Sequence, residues 1–209
     1  MHIVVVDTET GGLDPARHSL LSVGVVLLED GGIADSREWL VREPDEHLCV
    51  QAEALAVNRI DLVQHLEQAQ PPAAIAAELA AFIPRAYRSR KGRALLAGHN
   101  VGFDYGFLTR LARLAGDPGL LDRTFHHRTL DTASIMHFLE LRGELPVNPG
   151  SLSRACRYFG IEHNGAHTAL GDATATALLL ERLLHPPDDG RGKVVLKLKR
   201  NAPPATEIK

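Results

Sequence analysis

Cysteine is nearly missing from this chain: its 209 residues include two, Cys49 and Cys156, far apart and without the spacing of metal ligands. A disulfide framework is therefore not expected, and a reducing, cytoplasmic compartment is the natural setting. Excess positive charge is missing too. The formal net charge is −3, so no overall basic field marks a bulk nucleic-acid coater, although a local basic patch is compatible with that total. Aromatic residues amount to 5%, which leaves few platforms for stacking bases. Phe103, Tyr105 and Phe107 are grouped, but positions 103 and 107 share a helical face, and for Phe107 core packing is the expected role. No apolar run reaches membrane-spanning length, and no basic segment followed by an apolar one opens the sequence. What is present is 44% apolar and 23% charged residues, the composition of one globular domain with a real core.

The hydrophobic pattern changes period along the chain. Ile3–Val6 is an apolar run rich in β-branched residues and reads as a buried strand. Leu20–Leu28 is a second such run, followed by the hairpin signal Asp30-Gly31-Gly32 and a weaker third strand over Ile33–Val41. Gln51–Ala56 suggests a short helical piece, and from Pro72 to about Pro84 apolar residues recur at helical spacing. A basic stretch, Arg85 to Arg93, is either a solvated loop or a nucleic-acid contact. Ala94–Ala97 reads as a further strand, followed by a helix marked by Phe107, Leu108, Leu111 and Leu114. Arg128–Asp131 suggests a brief strand, with Asp131 or Thr132 capping the helix after it. Ser151 is a good cap for a helix that Gly160 closes, and the last helix runs to about Leu184. These elements predict an α/β fold with a mixed sheet and packed helices over residues 1–185. Residues 186–209 read as a linker and a basic, apolar tail that is either an added strand or an extension without fixed structure.

The first strand runs into Asp7 and Glu9. Alternate residues of a strand share a face, so both carboxylates project together. By themselves they are equally a turn flank or a shelf for a hard divalent cation. Two more acids stand near element ends: Asp104 opens the helix after the fourth strand, and Asp172 lies early in the last helix. Four carboxylates converging on a small site require cations to neutralise them. Two magnesium or manganese ions about 4 Å apart would do so and would clamp an in-line phosphoryl displacement. His167, five residues before Asp172, suits the general base because an imidazole titrates near neutrality.

Three stretches now stand out: Asp7-Thr8-Glu9-Thr10-Gly11-Gly12-Leu13, His99-Asn100-Val101-Gly102-Phe103-Asp104 and His167-Thr168-Ala169-Leu170-Gly171-Asp172-Ala173. In this order they resemble the three motifs of the DEDDh 3′–5′ exonucleases. Residues 51–61 and Leu152–Cys156 are similar to stretches of the ribonuclease T branch, and the proofreading exonucleases of bacterial replicative polymerases are also close. The resemblance implies a ribonuclease-H-like fold: a mixed five-stranded sheet, three antiparallel strands then two parallel, flanked by helices. It implies that Asp7, Glu9, Asp104 and Asp172 hold two Mg2+ or Mn2+, with His167 as general base. It also implies that a single-stranded DNA or RNA 3′ end is bound by Thr8, Thr10, Leu13, Asn58, His99, Asn100 and Phe103, with Leu13 wedged against a terminal base. Position 59 departs from the pattern, being arginine where ribonuclease T-like chains tend to carry glycine.

The expected activity is hydrolysis of single-stranded nucleic acid from its 3′ end to nucleoside 5′-monophosphates. Alternatives remain at this level: a proofreading partner of a DNA polymerase, docked through the tail, or a catalytically silent nucleic-acid-binding module. A homodimer, in which the basic stretch of one subunit serves the other's site, is a further expectation of the ribonuclease T likeness. Sugar preference is not legible, because none of the motifs reads a 2′-hydroxyl.

Overall fold

The computed structural model describes residues 2–30, 32–44, 48–88 and 92–185. Strands β1 (His2–Thr10), β2 (Leu20–Glu29) and β3 (Gly32–Leu40) form an antiparallel meander. The first two of these strands carry the apolar runs. The outer one is mostly exposed, which explains its poor alternation. Helices α1 (Ala52–Asn58), α2 (Leu62–Gln68) and α3 (Pro72–Phe82) follow, then a 3-10 turn at Arg85–Tyr87. Strand β4 (Ala94–Gly98) leads into α4 (Val101–Leu114) and α5 (Leu120–Thr124), and β5 (Phe125–Asp131) into α6 (Thr132–Leu141). Helices α7 (Leu152–Phe159) and α8 (Ala169–Leu184) complete the described chain.

The five strands lie in the order β3-β2-β1-β4-β5, with β4 parallel to both β1 and β5. This is the mixed sheet expected from the sequence, and it makes β1 the central strand. Asp131 caps α6 by accepting from the Ala133 amide. Ser151 occupies the N-cap position of α7, but its side chain makes no capping bond, contrary to the expectation from its residue type. Helices α2 and α5 were not expected; each is a turn or two long, too short to display a period.

The alternation of β1 divides the core. Val4 and Val6 point to the face covered by α3 and α4, where Ile75, Leu79, Phe107, Leu108 and Leu111 pack. Phe107 is fully buried there, as its helical position predicts. Ile3 and Val5 point to the opposite face, against Ala173, Ala177 and Leu180 of α8. Small residues on α8 bring its axis close to the sheet, and Gly24 of β2 lies directly against its first turn. A Cβ there would run into the backbone of Ala169 and Leu170. Only glycine lets the first turn of α8 rest on the sheet beside β1.

Of the basic stretch, Arg88 donates to the Ala80 carbonyl and so closes the end of α3, while residues 89–91 lie outside the described residues. The expectations for residues 186–209 also lie outside them. No helix among the described residues is long and apolar enough to cross a membrane.

Candidate active site

The same alternation that sorts the core sorts the acids. Asp7 and Glu9 continue the row of Ile3 and Val5 and face α8, whose first turn carries Asp172. Ligand oxygens of these three carboxylates all lie within 4.8 Å of one another, and all three side chains are half-buried. Thr8 continues the row of Val4 and Val6 and faces α4, where its hydroxyl donates to Asp104 Oδ1 at 2.7 Å. Asp104 is 2% exposed and stands outside the close trio. The four expected acids therefore reach the end of β1 from both sides of the sheet: three together, the fourth buried beside them.

Crowding shows in the proton affinities. Burial, then the charges of Asp104, Asp172 and Glu9, hold Asp7 well above the usual carboxylate range. Burial and the charges of Asp172 and Glu38 push Glu9 up to about 7, against a hydrogen bond from Asn58 that lowers it. Asp104 is also raised to about 7, chiefly by burial, although Thr8 favours its charged form. Glu38 had no place in the sequence reading. It stands across Gly24 from Asp7 and accepts from the Leu170 amide at 3.4 Å, joining the edge strand to the start of α8. Such a set of hard oxygen donors, too negative to share a site unaided, fits a divalent cation. The donor chemistry suits magnesium or manganese rather than a thiolate-seeking metal.

The first turn of α8 is fixed by its own sequence. Thr168 caps the helix by accepting from the Gly171 amide, and Asp172 Oδ1 accepts the His167 amide at 3.2 Å. His167 adopts a left-handed backbone conformation, φ 66°, and its side chain is exposed. A second histidine, not among the expected site residues, touches the site: His163 Nε2 lies 2.6 Å from Asp172 Oδ1. Its sequence signal is faint, a histidine four residues ahead of His167 in a segment turned by Gly165 at φ 74°.

The residues expected to bind substrate divide into two groups. Thr8, Thr10 and Asn58 are buried and turned inward. The Thr10 hydroxyl donates to the Gly12 carbonyl, and Asn58 donates to the Thr10 carbonyl at 3.2 Å and accepts from the Ile60 amide. These three brace the end of β1 from behind. The arginine at position 59 takes the left-handed conformation, φ 56°, at the end of α1, so the glycine-preferring backbone is kept although the glycine is not. Leu13 is 81% exposed just past the turn, as a wedge requires. His99 Nδ1 lies 2.9 Å from the Thr132 hydroxyl, and burial holds its pKa below the ordinary value, favouring the neutral ring. Asn100 is exposed in a left-handed conformation, its amide held by Asp131 Oδ1, and Phe103 is half-buried with its ring 5.0 Å from that of Phe107.

A family model described as exonuclease matches residues 4–180. Ribonuclease T of Hahella chejuensis is 34% identical over 185 residues, covering 84% of this chain and 80% of that protein. Ribonuclease T of Citrobacter koseri is 32% identical over 194 residues, covering 84% and 81%. Among solved structures, E. coli exonuclease I in complex with a dT13 oligonucleotide superposes with a TM-score of 0.70 at 20% identity, over 87% of this chain and 40% of that one. This chain thus spans well under half the length of exonuclease I, and at that identity the likeness concerns the fold.

Proposed function

The chain belongs to the exonuclease family, as a 3′–5′ exonuclease of DEDDh type, and from that premise we propose that it removes nucleoside 5′-monophosphates from single-stranded nucleic acid with two divalent cations, Mg2+ or Mn2+. The observation that carries this reading is the convergence of Asp7, Glu9 and Asp172 within 4.8 Å at the end of the central strand.

Asp7, Glu9 and Asp172 would hold one cation, and Asp104, beside Asp7, would complete the set for a second. Bound there, such cations would supply acidification of an attacking water and charge stabilisation at the departing 3′ oxygen. The chain's own residues supply the rest. The His167 imidazole, exposed and five residues ahead of Asp172, takes the proton from the attacking water. Thr8 holds the buried Asp104 carboxylate in place through its hydroxyl. The exposed Leu13 would wedge against a terminal base, and His99, Asn100 and Phe103, just after β4, would contact the nucleotides behind it. Thr8, Thr10 and Asn58 act by bracing β1 rather than by touching the strand.

A single-stranded substrate is supported by the dT13 oligonucleotide bound to the exonuclease I neighbour, and ribonucleic acid by the name of the ribonuclease T relatives. No observation among the described residues favours the polymerase-partner or homodimer readings. The test is digestion of matched 5′-labelled single-stranded DNA, RNA and overhanging duplexes with Mg2+ or Mn2+. A ladder shortening from the 3′ end is expected, absent with EDTA and in Asp7→Ala. Trimming that persists in both Asp7→Ala and Asp172→Ala would sink the reading.

A further inference from the structure

We propose that His163 is a positioning residue for the Asp172 carboxylate: its Nε2–H donates to Oδ1, fixes the side-chain rotamer, and leaves Oδ2 available to ligate a cation. The inference rests on the reading of Asp172 as a metal ligand and adds how that ligand is held.

Three observations carry it. The contact is short and sheltered: Nε2 lies 2.6 Å from Oδ1, and the two side chains are 11% and 17% exposed. A carboxylate oxygen can only accept here, so the shared proton sits on Nε2. The other ring nitrogen, Nδ1, then faces the Ser153 hydroxyl at 3.4 Å, at the start of α7. Secondly, Oδ1 also accepts the His167 amide, so two protein donors converge on one oxygen. Both of these hydrogen bonds fall on Oδ1, and among the described residues none reaches Oδ2. A carboxylate held by one oxygen in this way presents the other as a single ligand, without the freedom to rotate away from Asp7 and Glu9.

Thirdly, the segment that carries His163 is built to hold it. Gly160, in the left-handed conformation, ends α7, and Gly165 turns the chain back at φ 74°. The Thr168 hydroxyl donates to the Gly165 carbonyl at 2.8 Å and accepts from the Gly171 amide at 3.1 Å. Gly171 lets the turn lie directly on the first turn of α8, since a Cβ there would run into the Gly165 carbonyl. His163 therefore approaches Asp172 from a pinned loop, while the His167 side chain stands exposed on the same segment. The two histidines divide the work: one steadies a ligand, the other faces the reaction.

Hydrogen-bond partners of metal ligands typically change metal affinity by about 10–100-fold. The experiment is Mn2+ titration by isothermal calorimetry on the full chain, paired with melting curves with and without Mn2+, for the wild type, His163→Ala, His163→Gln and Asp172→Ala. His163→Ala is expected to weaken Mn2+ binding by about 10–100-fold and to shrink the Mn2+-induced rise in melting temperature. His163→Gln, whose amide can donate to the same oxygen, is expected to recover most of the affinity. This recovery separates positioning from loss of fold, which would leave both variants equally weak. Mn2+ binding by His163→Ala as tight as the wild type, or tighter, would overturn the inference, because His163 would then be competing with the cation for Asp172. So would equal weakness of the Ala and Gln variants. Failure of the underlying reading looks different: the wild type and Asp172→Ala would bind Mn2+ alike.

Discussion

Consider the metal-free protein as pH rises from 5 to 8. Asp104 is 2% exposed, and burial raises its pKa from 3.8 to about 7. A carboxyl that holds its proton more tightly folded than unfolded favours folding while protonated, and that advantage disappears as pH climbs from the unfolded toward the folded value. Between pH 5 and 8 the loss spans about two pKa units, or about 3 kcal/mol. For a domain of this size that corresponds to a fall in melting temperature of roughly 6–12 °C. Glu9, raised to about 7 and partly exposed, adds a smaller share, and Asp7, held well above the usual carboxylate range by burial, acts in the same direction. Differential scanning calorimetry in EDTA at pH 5, 6, 7 and 8 measures the slope, and millimolar Mn2+ is expected to abolish most of the fall above pH 6. Asp104→Asn keeps the shape and the acceptor for Thr8 but carries no charge, so its EDTA profile should be markedly flatter. A wild-type melting temperature that stays level or rises from pH 5 to 8, or an Asn variant with the wild-type slope, would refute the picture of unneutralised, buried carboxylates.

Other perturbations probe single parts. His167→Ala is expected to lower kcat about 10²–10⁴-fold with KM nearly unchanged, as steady-state trimming assays would show; a change confined to KM would contradict the general-base role. Gly24→Ala inserts a methyl into the backbone of Ala169 and Leu170. It should destabilise the fold by about 1–3 kcal/mol in urea denaturation and weaken Mn2+ binding, because Asp172 moves with α8. Leu13→Ala should leave stability within about 0.5 kcal/mol, the side chain being 81% exposed. It should nonetheless raise KM for a single-stranded oligonucleotide; an unchanged KM would remove Leu13 from the substrate path.

Much of this site is legible in the sequence because it is written with short periods. The β1 pattern gives a buried strand and places Asp7 and Glu9 on one face, and apolar runs separated by a glycine turn give the meander. What the pattern hides is which face each acid approaches from. Asp104 reaches the site across the sheet from α8, and only the parity of Thr8 with Val4 and Val6, read together with the position of α4, reveals it. Gly24 and Glu38 are hidden for a similar reason. Their roles depend on a helix more than a hundred residues later resting on β2 and β3. His163 is local to Asp172, but its approach depends on three glycines and a threonine acting together, a conformation that residue counting does not supply. Helix α2 is not legible because Leu62–Gln68 is short and mostly exposed, held by the Asp61 cap and the buried His65 rather than by a buried apolar stripe.

The most direct test of the central claim is anomalous diffraction from crystals soaked in Mn2+. The account predicts a strong peak coordinated by Asp7, Glu9 and Asp172, and a second about 4 Å away on the Asp104 side of Asp7. Mn2+ absent from the end of β1, or bound only elsewhere on the chain, would contradict it.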